Sequence, residues 1–112
     1  MEICIFCKII NKEIPAKIVF ENDKVFAFED VNPQAPTHIL VIPKNHISDV
    51  TEVQDYAVLG ELFEAINKIV KDKKLTENGF RVVLNTGKDA GMAVHHLHFH
   101  LLSGRTLAWP PG

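Results

Sequence analysis

The segment His95-His96-Leu97-His98-Phe99-His100-Leu101-Leu102 alternates histidine with apolar residues. In a β-strand, successive side chains point to opposite faces of the sheet, so the two sets would separate onto two faces. A helix would scatter both sets around its axis. The pattern therefore predicts a strand over residues 94–102. Its functional face would carry the three alternating imidazoles, which are those of His96, His98 and His100.

The remaining apolar pattern predicts two helices and four further strands around this segment. Apolar residues recur at helical spacing over residues 56–71, which predicts one long amphipathic helix, and residues 6–11 predict a short N-terminal helix. The further strands are predicted over residues 17–21, 25–28, 37–42 and 80–84. Asn22 and Asp23 are typical of a hairpin turn, and the proline-rich residues 30–36 of a loop. These elements favour an α+β fold, with a mainly antiparallel five-stranded sheet covered on one face by the long helix.

Length, charge and hydropathy narrow the possible partners. The 112 residues, 46% of them hydrophobic, fit a single domain spanning residues 1–112. A formal net charge of −2 supplies no basic patch, so we expect no nucleic-acid partner. No apolar run approaches the roughly 20 residues of a membrane helix, and residues 1–4 lack the pattern of a signal peptide. We therefore expect a cytoplasmic protein with no membrane partner.

Two functions are open to a row of histidines on one strand. A single histidine usually belongs to a core or a surface, but three in strict alternation with apolar residues favour a site. One function is a metal centre held by imidazoles. The other is nucleophilic catalysis, because an imidazole with an ordinary pKa of about 6.5 is largely neutral at pH 7 and can attack phosphorus. The outer histidines, His96 and His100, would lie roughly 13 Å apart along a strand. We therefore expect the two ends of the row to serve different sites.

Two cysteines stand near the N-terminus with the spacing Cys4-x-x-Cys7. In a reducing compartment this spacing favours metal or redox chemistry over a structural disulfide. A closed tetrahedral zinc site would need two further ligands.

These motifs together resemble one family. His96-Leu97-His98-Phe99-His100-Leu101-Leu102 matches the His-φ-His-φ-His-φ-φ signature of the histidine triad (HIT) proteins. The likeness covers essentially the whole chain, including residues 5–9, residues 33–38 and residues 40–47. The tail Trp109-Pro110-Pro111-Gly112 is typical of the Hint branch, the histidine triad nucleotide-binding proteins.

The resemblance implies a hydrolase or transferase that acts on purine nucleotides, AMP or GMP derivatives. It would cleave at the α-phosphate of nucleoside phosphoramidates or related nucleotidyl compounds, work as a homodimer and need no organic cofactor. The resemblance makes His98 the nucleophile that takes the nucleotidyl group, and His100 the residue that contacts the phosphate. His38 corresponds to a fourth histidine that orients the group.

The resemblance also implies where the nucleotide binds. It places Asp30 on the ribose hydroxyls, where a carboxylate can accept two hydrogen bonds. Asn85 and the backbone at Gly91 match contacts around the ribose and phosphate. The positions that match the lining of the base pocket are Ile5, Phe6, Ile9, Phe28, Val31 and Leu40.

A second, separate site follows from the same resemblance. In HIT proteins that keep the two cysteines, the remaining metal ligands match His46 and the first triad histidine. The implied set for a structural zinc is Cys4, Cys7, His46 and His96. Such a zinc would attach the N-terminal segment to the sheet and leave His98 free.

One position departs from the family pattern. Many Hint proteins have Gly-Gln-Ser where this chain has Gly91-Met92-Ala93, and the serine can donate a hydrogen bond to the phosphate or the leaving group. Ala93 lies in the nucleotide site but has no hydroxyl, so we expect slow phosphoramidate cleavage. The alternative functions are a dinucleoside polyphosphate hydrolase, against which the Trp109 tail argues, and a non-enzymatic nucleotide-binding regulator.

Overall fold

An antiparallel sheet of five strands is the frame of the molecule in the computed structural model, which describes residues 4–112. The strands lie side by side in the order β1-β2-β3-β5-β4, and every neighbouring pair is antiparallel. This arrangement confirms the predicted α+β class. Residues 1–3, part of the predicted domain and of the segment assessed for a signal peptide, lie outside the described residues. The elements are α1 (Ile5–Ile10), β1 (Ile18–Glu21), β2 (Val25–Glu29), β3 (Thr37–Pro43), a 3₁₀ turn (Val50–Glu52), α2 (Ala57–Asp72), β4 (Phe80–Leu84) and β5 (Phe99–Ser103).

The long helix α2 covers one face of the sheet, as predicted. Asp55 begins the helix by accepting a hydrogen bond from the backbone N–H of Ala57 at 3.0 Å. The apolar stripe of α2 is buried against inward-facing residues of β2, β3 and β5. Leu97, Phe99 and Leu101 join this helix-side cluster, which confirms that the apolar set of the histidine segment packs under the helix. The stripe consists of Leu62, Ala65, Ile66, Ile69 and Val70.

The opposite face of the sheet is covered by the short helix α1. Phe6 and Ile9 of α1 pack there in a second, smaller apolar cluster. Along β2 and β3, alternate residues point to the two faces, so both central strands are buried on both sides. The strand residues of this second cluster are Phe26, Phe28, Leu40 and Ile42. The sheet therefore separates two cores, and the histidines lie with the smaller one.

The fifth strand is shorter than predicted, which corrects the sequence-based boundary. It begins at Phe99 rather than at residue 94, so His96 and His98 precede it. The last β3–β5 pair is Val41 with Phe99, and two residues further on Pro43 would face Leu97. Proline has no backbone N–H to continue the ladder. Leu97 instead donates its N–H to the carbonyl of Ile47 at 2.6 Å.

The other boundaries shift by one residue or agree with the prediction. The hairpin between β1 and β2 has three residues, 22–24, because the side chain of Asn22 accepts hydrogen bonds from the N–H groups of Lys24 and Val25. The 3₁₀ turn at Val50–Glu52 was not predicted. Within residues 4–112, no helix is both long and apolar enough to cross a membrane.

Candidate active site and metal centre

His98 lies at the centre of the histidine face with one ring nitrogen already bonded. Its side chain is buried, and its Nδ1–H donates to the backbone carbonyl of His96 at 2.6 Å. A neutral imidazole carries one proton, so Nε2 of His98 keeps its lone pair. The ring of Phe6 meets the His98 ring edge to face, with centroids 5.2 Å apart. His98 is therefore held in the tautomer that a nucleophile requires.

A chain of hydrogen bonds assigns the tautomers of the next two histidines. The backbone N–H of Gln34 donates to Nδ1 of His38 at 3.0 Å, so the His38 proton lies on Nε2. Nε2 of His38 is 2.9 Å from Nδ1 of His100 and donates to it. His100 therefore carries its own proton on Nε2. Its ring centroid lies 5.0 Å from that of His98, which makes this N–H a suitable donor to an oxygen of a phosphoryl group beside His98.

Burial keeps the imidazoles of His100 and His38 neutral. It lowers the pKa of His100 to about 4, and the neighbouring rings of His98 and His38 add to the effect. Burial also lowers the pKa of His38, although the carboxylate of Asp30 opposes this. Neutral rings are what the Gln34–His38–His100 chain needs, because each ring must both donate and accept a hydrogen bond.

Asp30 lies at the edge of this chain. One carboxylate oxygen accepts the N–H of Asn32 at 2.9 Å, as in an ordinary turn, and the other is 3.5 Å from Nε2 of His38. The polar atoms of Asp30, His38 and His100 are close enough together to hold a metal ion, but the two ring nitrogens that face each other already share a hydrogen bond. The carboxylate is half-buried, so it can still face a ligand.

The residues expected to line a base pocket divide into two groups. Phe6, Ile9, Phe28 and Leu40 are buried in one cluster on the histidine face, and Phe6 contacts His98 directly. Ile5 is about half exposed, and Val31 is 96% exposed at the start of the 31–36 loop. Val31 is therefore not part of the apolar core.

The connection from β4 to His96 carries the residues expected to contact the ribose and the phosphate. Asn85 directly follows β4 and is half-buried, and Ala93 is exposed. The N–H of Gly91 donates to the carbonyl of Lys88 at 3.0 Å, and that of Met92 to Gly87 at 3.1 Å. These two amides close a turn at the end of this connection. The positive φ of Gly91, 79°, explains the glycine there.

The four expected metal ligands meet beside His98. Sγ of Cys4 is 3.3 Å and Sγ of Cys7 3.7 Å from Nδ1 of His96, and Nδ1 of His46 is 3.4 Å from Sγ of Cys7. All four ligand atoms lie within 4.8 Å of one another. Nε2 of His96 donates to the carbonyl of Pro43 at 2.9 Å, so Nδ1 keeps its lone pair towards the two sulfurs.

The chemistry of this cluster fits a cation. Burial, followed by the neighbouring Cys4, raises the pKa of the Cys7 thiol to about 11. Burial lowers the pKa of His96 to about 4, so its imidazole is neutral and able to bind a metal. A divalent ion supplies the positive charge that two neighbouring thiolates need. Two sulfur and two imidazole ligands with no carboxylate form a closed, soft set typical of a structural site.

Several contacts in the two sites have no signal in the sequence. The amide of Gln34 and the carbonyls of Pro43, His96 and Ile47 act through the backbone, which the residue type does not report. Nε–H of Arg105 donates a hydrogen bond to the carbonyl of Gln34 at 3.0 Å, a contact that the sequence analysis did not predict. A surface cavity of about 540 Å³ borders His46 and does not include His38, His98 or His100.

The comparisons with known proteins agree with this geometry. The HIT domain family model matches residues 11–107. The 14 kDa zinc-binding protein of Zea mays is 46% identical over 112 residues, covering 96% of this chain and 87% of that protein. Adenylylsulfatase HINT1 of Arabidopsis thaliana is 45% identical, covering 96% of this chain and 76% of that protein.

Solved structures show the same relationship. The HIT family hydrolase of Legionella pneumophila superposes with a TM-score of 0.94 at 45% identity, covering 97% of this chain and 99% of that one. The histidine triad nucleotide-binding protein of Candida albicans superposes with a TM-score of 0.84 at 37% identity, covering 96% of this chain and 82% of that one. The chain belongs to the HIT domain family. Within that family it belongs to the Hint branch.

Proposed function

We propose that this protein cleaves purine nucleoside phosphoramidates and related nucleotidyl compounds at the α-phosphate, through a covalent intermediate on His98. The observation that carries this proposal is the tautomer of His98, whose Nδ1–H is held by the His96 carbonyl while Nε2 keeps its lone pair. Nε2 is the atom that would attack. A histidine held only as part of a core would not need a free nitrogen on the face that carries two further imidazoles.

The reaction would proceed in two displacements. In the first, the lone pair of Nε2 forms a bond to the α-phosphorus, and the bond from phosphorus to the leaving group breaks with its electron pair. In the second, water attacks the phosphorus, the P–N bond to His98 breaks, and AMP or GMP is released. The N–H of His100 would donate to a phosphoryl oxygen in both steps, where the developing charge makes such a bond most valuable. His38 would act through His100 as a positioning residue.

The nucleotide would lie along the smaller core. The buried wall of Phe6, Ile9, Phe28 and Leu40, extended by the exposed side chains of Ile5 and Val31, would take the base. Asp30 would accept hydrogen bonds from the ribose hydroxyls, and Asn85 and the loop through Gly91 and Ala93 would enclose the phosphate. The name of the Arabidopsis relative, adenylylsulfatase, supports the proposal that compounds with an acidic leaving group, such as adenylyl sulfate, are also substrates. Sulfate departs without taking up a proton, so the missing hydroxyl at Ala93 would matter little.

We propose that the metal is zinc and that its role is structural. The donor set of Cys4, Cys7, His46 and His96 supports this, as does the name of the maize relative. Bound zinc would supply the cross-link that attaches α1 to the sheet. The two free thiols suit a reducing cytoplasm, and no organic cofactor enters the reaction.

We propose that the chain, a single domain over residues 1–112, works as a homodimer. Strand β4 lies at the edge of the sheet, and Phe80 on it is 39% exposed. Trp109 is 83% exposed, which is unusual for so large an apolar side chain without a partner. Light scattering at micromolar concentration should give twice the chain mass of 12.6 kDa. A mass of one chain would contradict the dimer.

A substrate panel tests the proposed reaction. The zinc-loaded protein should release AMP or GMP from adenosine and guanosine phosphoramidates and from adenylyl sulfate. It should release much less from dinucleoside polyphosphates. Rapid quenching with a labelled substrate should trap one nucleotidyl group per chain, and peptide mapping should locate it on His98. An adduct on His96 or His100, or no release from any member of the panel, would refute the proposal.

A further inference from the structure

We infer that the four residues of the metal centre also position the nucleophile, so that metal occupancy sets the orientation of His98. The inference rests on the proposed function where it concerns turnover, but the structural coupling itself stands apart from any substrate. Three separate segments of the chain carry the ligands, and each of them touches His98 or the residue before it. The segments are 4–7, 46–47 and 96–98.

The first link runs through His96. Its side chain is fixed at both nitrogens, since Nε2 donates to Pro43 and Nδ1 faces the two sulfurs. Its backbone carbonyl accepts the Nδ1–H of His98 at 2.6 Å. One residue therefore ligates the metal with its ring and sets the tautomer of the nucleophile with its backbone. A ring that lost its sulfur partners would let this carbonyl turn.

The second link runs through Phe6, which lies between the two cysteines in the chain. Its ring packs edge to face on His98, with centroids 5.2 Å apart, and on His96 at 5.8 Å. Helix α1 has only six residues, too few to be stable alone, so its place depends on what holds it. Cys4 and Cys7 on the metal would hold one end, and the Lys12–Glu21 ion pair holds the other at 3.0 Å.

The third link runs through the residue after His46. The carbonyl of Ile47 accepts the N–H of Leu97 at 2.6 Å, directly between His96 and His98. Residues 94–98 precede β5, so no strand ladder holds this stretch. His46 lies on an exposed loop, and its only hydrogen-bond partner among the described residues is Sγ of Cys7. Without a metal, we expect the loop at His46 and residues 94–98, which it contacts, to become more mobile.

The first experiment reads the tautomer of His98 directly, without a substrate. Ring-nitrogen NMR at a fixed pH of about 8, where imidazoles are neutral, reports which nitrogen carries the proton. We expect Nδ1–H alone in zinc-loaded protein. In chelated protein, and in the Cys4→Ser, Cys7→Ser double variant, we expect a mixture of the two tautomers. Ile66→Val, which weakens the core on the other face of the sheet, should keep the loaded pattern. A single Nδ1–H tautomer in folded, metal-free protein would overturn the inference.

A second variant separates coupling from folding. Phe6→Leu keeps all four ligands, so its zinc content should stay at one ion per chain while the second link is removed. We expect its His98 ring signals to broaden or shift and its kcat to fall by about 10- to 100-fold, because small displacements of reacting groups are costly. Wild-type ring signals and wild-type kcat in fully loaded Phe6→Leu would also overturn the inference. If loaded wild-type protein turns over nothing, the proposed function fails, while the ring-nitrogen result still decides the coupling.

Discussion

The two faces of the sheet are built on different principles. The helix-side cluster contains thirteen buried apolar residues, counting those of α2, whereas the cluster on the other face contains six, counting those of α1. The smaller face also holds three buried histidines, and each is tied to the backbone by a hydrogen bond. Apolar burial stabilises in proportion to area, so the helix side supplies most of the stability. The histidine side uses directed bonds, which give less stability but define where each ring nitrogen points.

A small domain can therefore place its stability on one face of a sheet and its chemistry on the other. Among the described residues, no buried side-chain nitrogen or oxygen lacks a hydrogen-bond partner, so the polar face is fully satisfied. Its geometry depends on a few specific contacts, and losing one should change activity before it changes folding. Losing a contact on the helix side should do the reverse. Four substitutions or treatments test this contrast.

The largest effect on kcat should come from substitution of His98. His98→Ala should lower kcat by at least about 10³-fold, because no other group on this face has a free ring nitrogen in the same place. Binding of AMP and the urea midpoint should stay close to wild type, since the lost bond to the His96 carbonyl is one of many. Turnover, calorimetry and urea unfolding measure the three quantities. His95→Ala, at an exposed position, is the matched control and should behave as wild type.

Leu62 tests the opposite face. It is fully buried under α2, so Leu62→Ala should cost about 2–5 kcal/mol of unfolding free energy through lost burial and a residual cavity. The protein that remains folded should keep the wild-type kcat. Asn67→Ala, on the exposed side of the same helix, should change stability by less than about 0.5 kcal/mol. A loss of kcat in folded Leu62→Ala would contradict the separation of the two faces.

Metal removal should weaken one face more than the other. Cys4, Cys7, His46 and His96 should hold one zinc per chain, and chelation should cost about 3–4 kcal/mol if free zinc exceeded its Kd by about 10²- to 10³-fold. Hydrogen exchange should speed up first at α1 amides, while α2 amides stay protected until global unfolding. Equal loss of protection on both faces would show that the metal supports the whole fold. If reduced protein purified without chelator contained no zinc, the proposed zinc site would be refuted.

The smallest effect should follow a change at Ala93. A hydroxyl beside the leaving group is worth most in the transition state, so Ala93→Ser should raise kcat on phosphoramidates by about tenfold, with little change in AMP affinity. Adenylyl sulfate should gain much less because its leaving group needs no proton. The exposed side chain of Ala93 leaves room for the added oxygen. Unchanged turnover of phosphoramidates would mean that water or another group already donates this bond.

The sequence predicted the helices and most of the strands more accurately than the length of the strand in the histidine segment. The alternation at residues 95–102 separated the apolar set from the imidazoles correctly, because side-chain direction follows from local backbone geometry. The same alternation predicted too long a strand, because the residue at which β5 begins depends on Pro43 in the neighbouring strand β3. Similarly, the spacing Cys4-x-x-Cys7 favoured metal or redox chemistry, while the full metal set with His46 and His96 came from family resemblance rather than from spacing.

Local patterns along the chain therefore determined the fold class, the amphipathic helix and the residue types able to do the chemistry. Only the tertiary structure decided which ring nitrogen of each histidine carries a proton. That outcome depends on backbone groups of Gln34, Pro43 and His96, and a backbone amide or carbonyl is identical at nearly every position in the sequence. Their partners come from segments far apart along the chain, for example 53 residues between Pro43 and His96. The sequence specified the functional groups, and long-range packing specified the orientation and the protonated nitrogen of each imidazole.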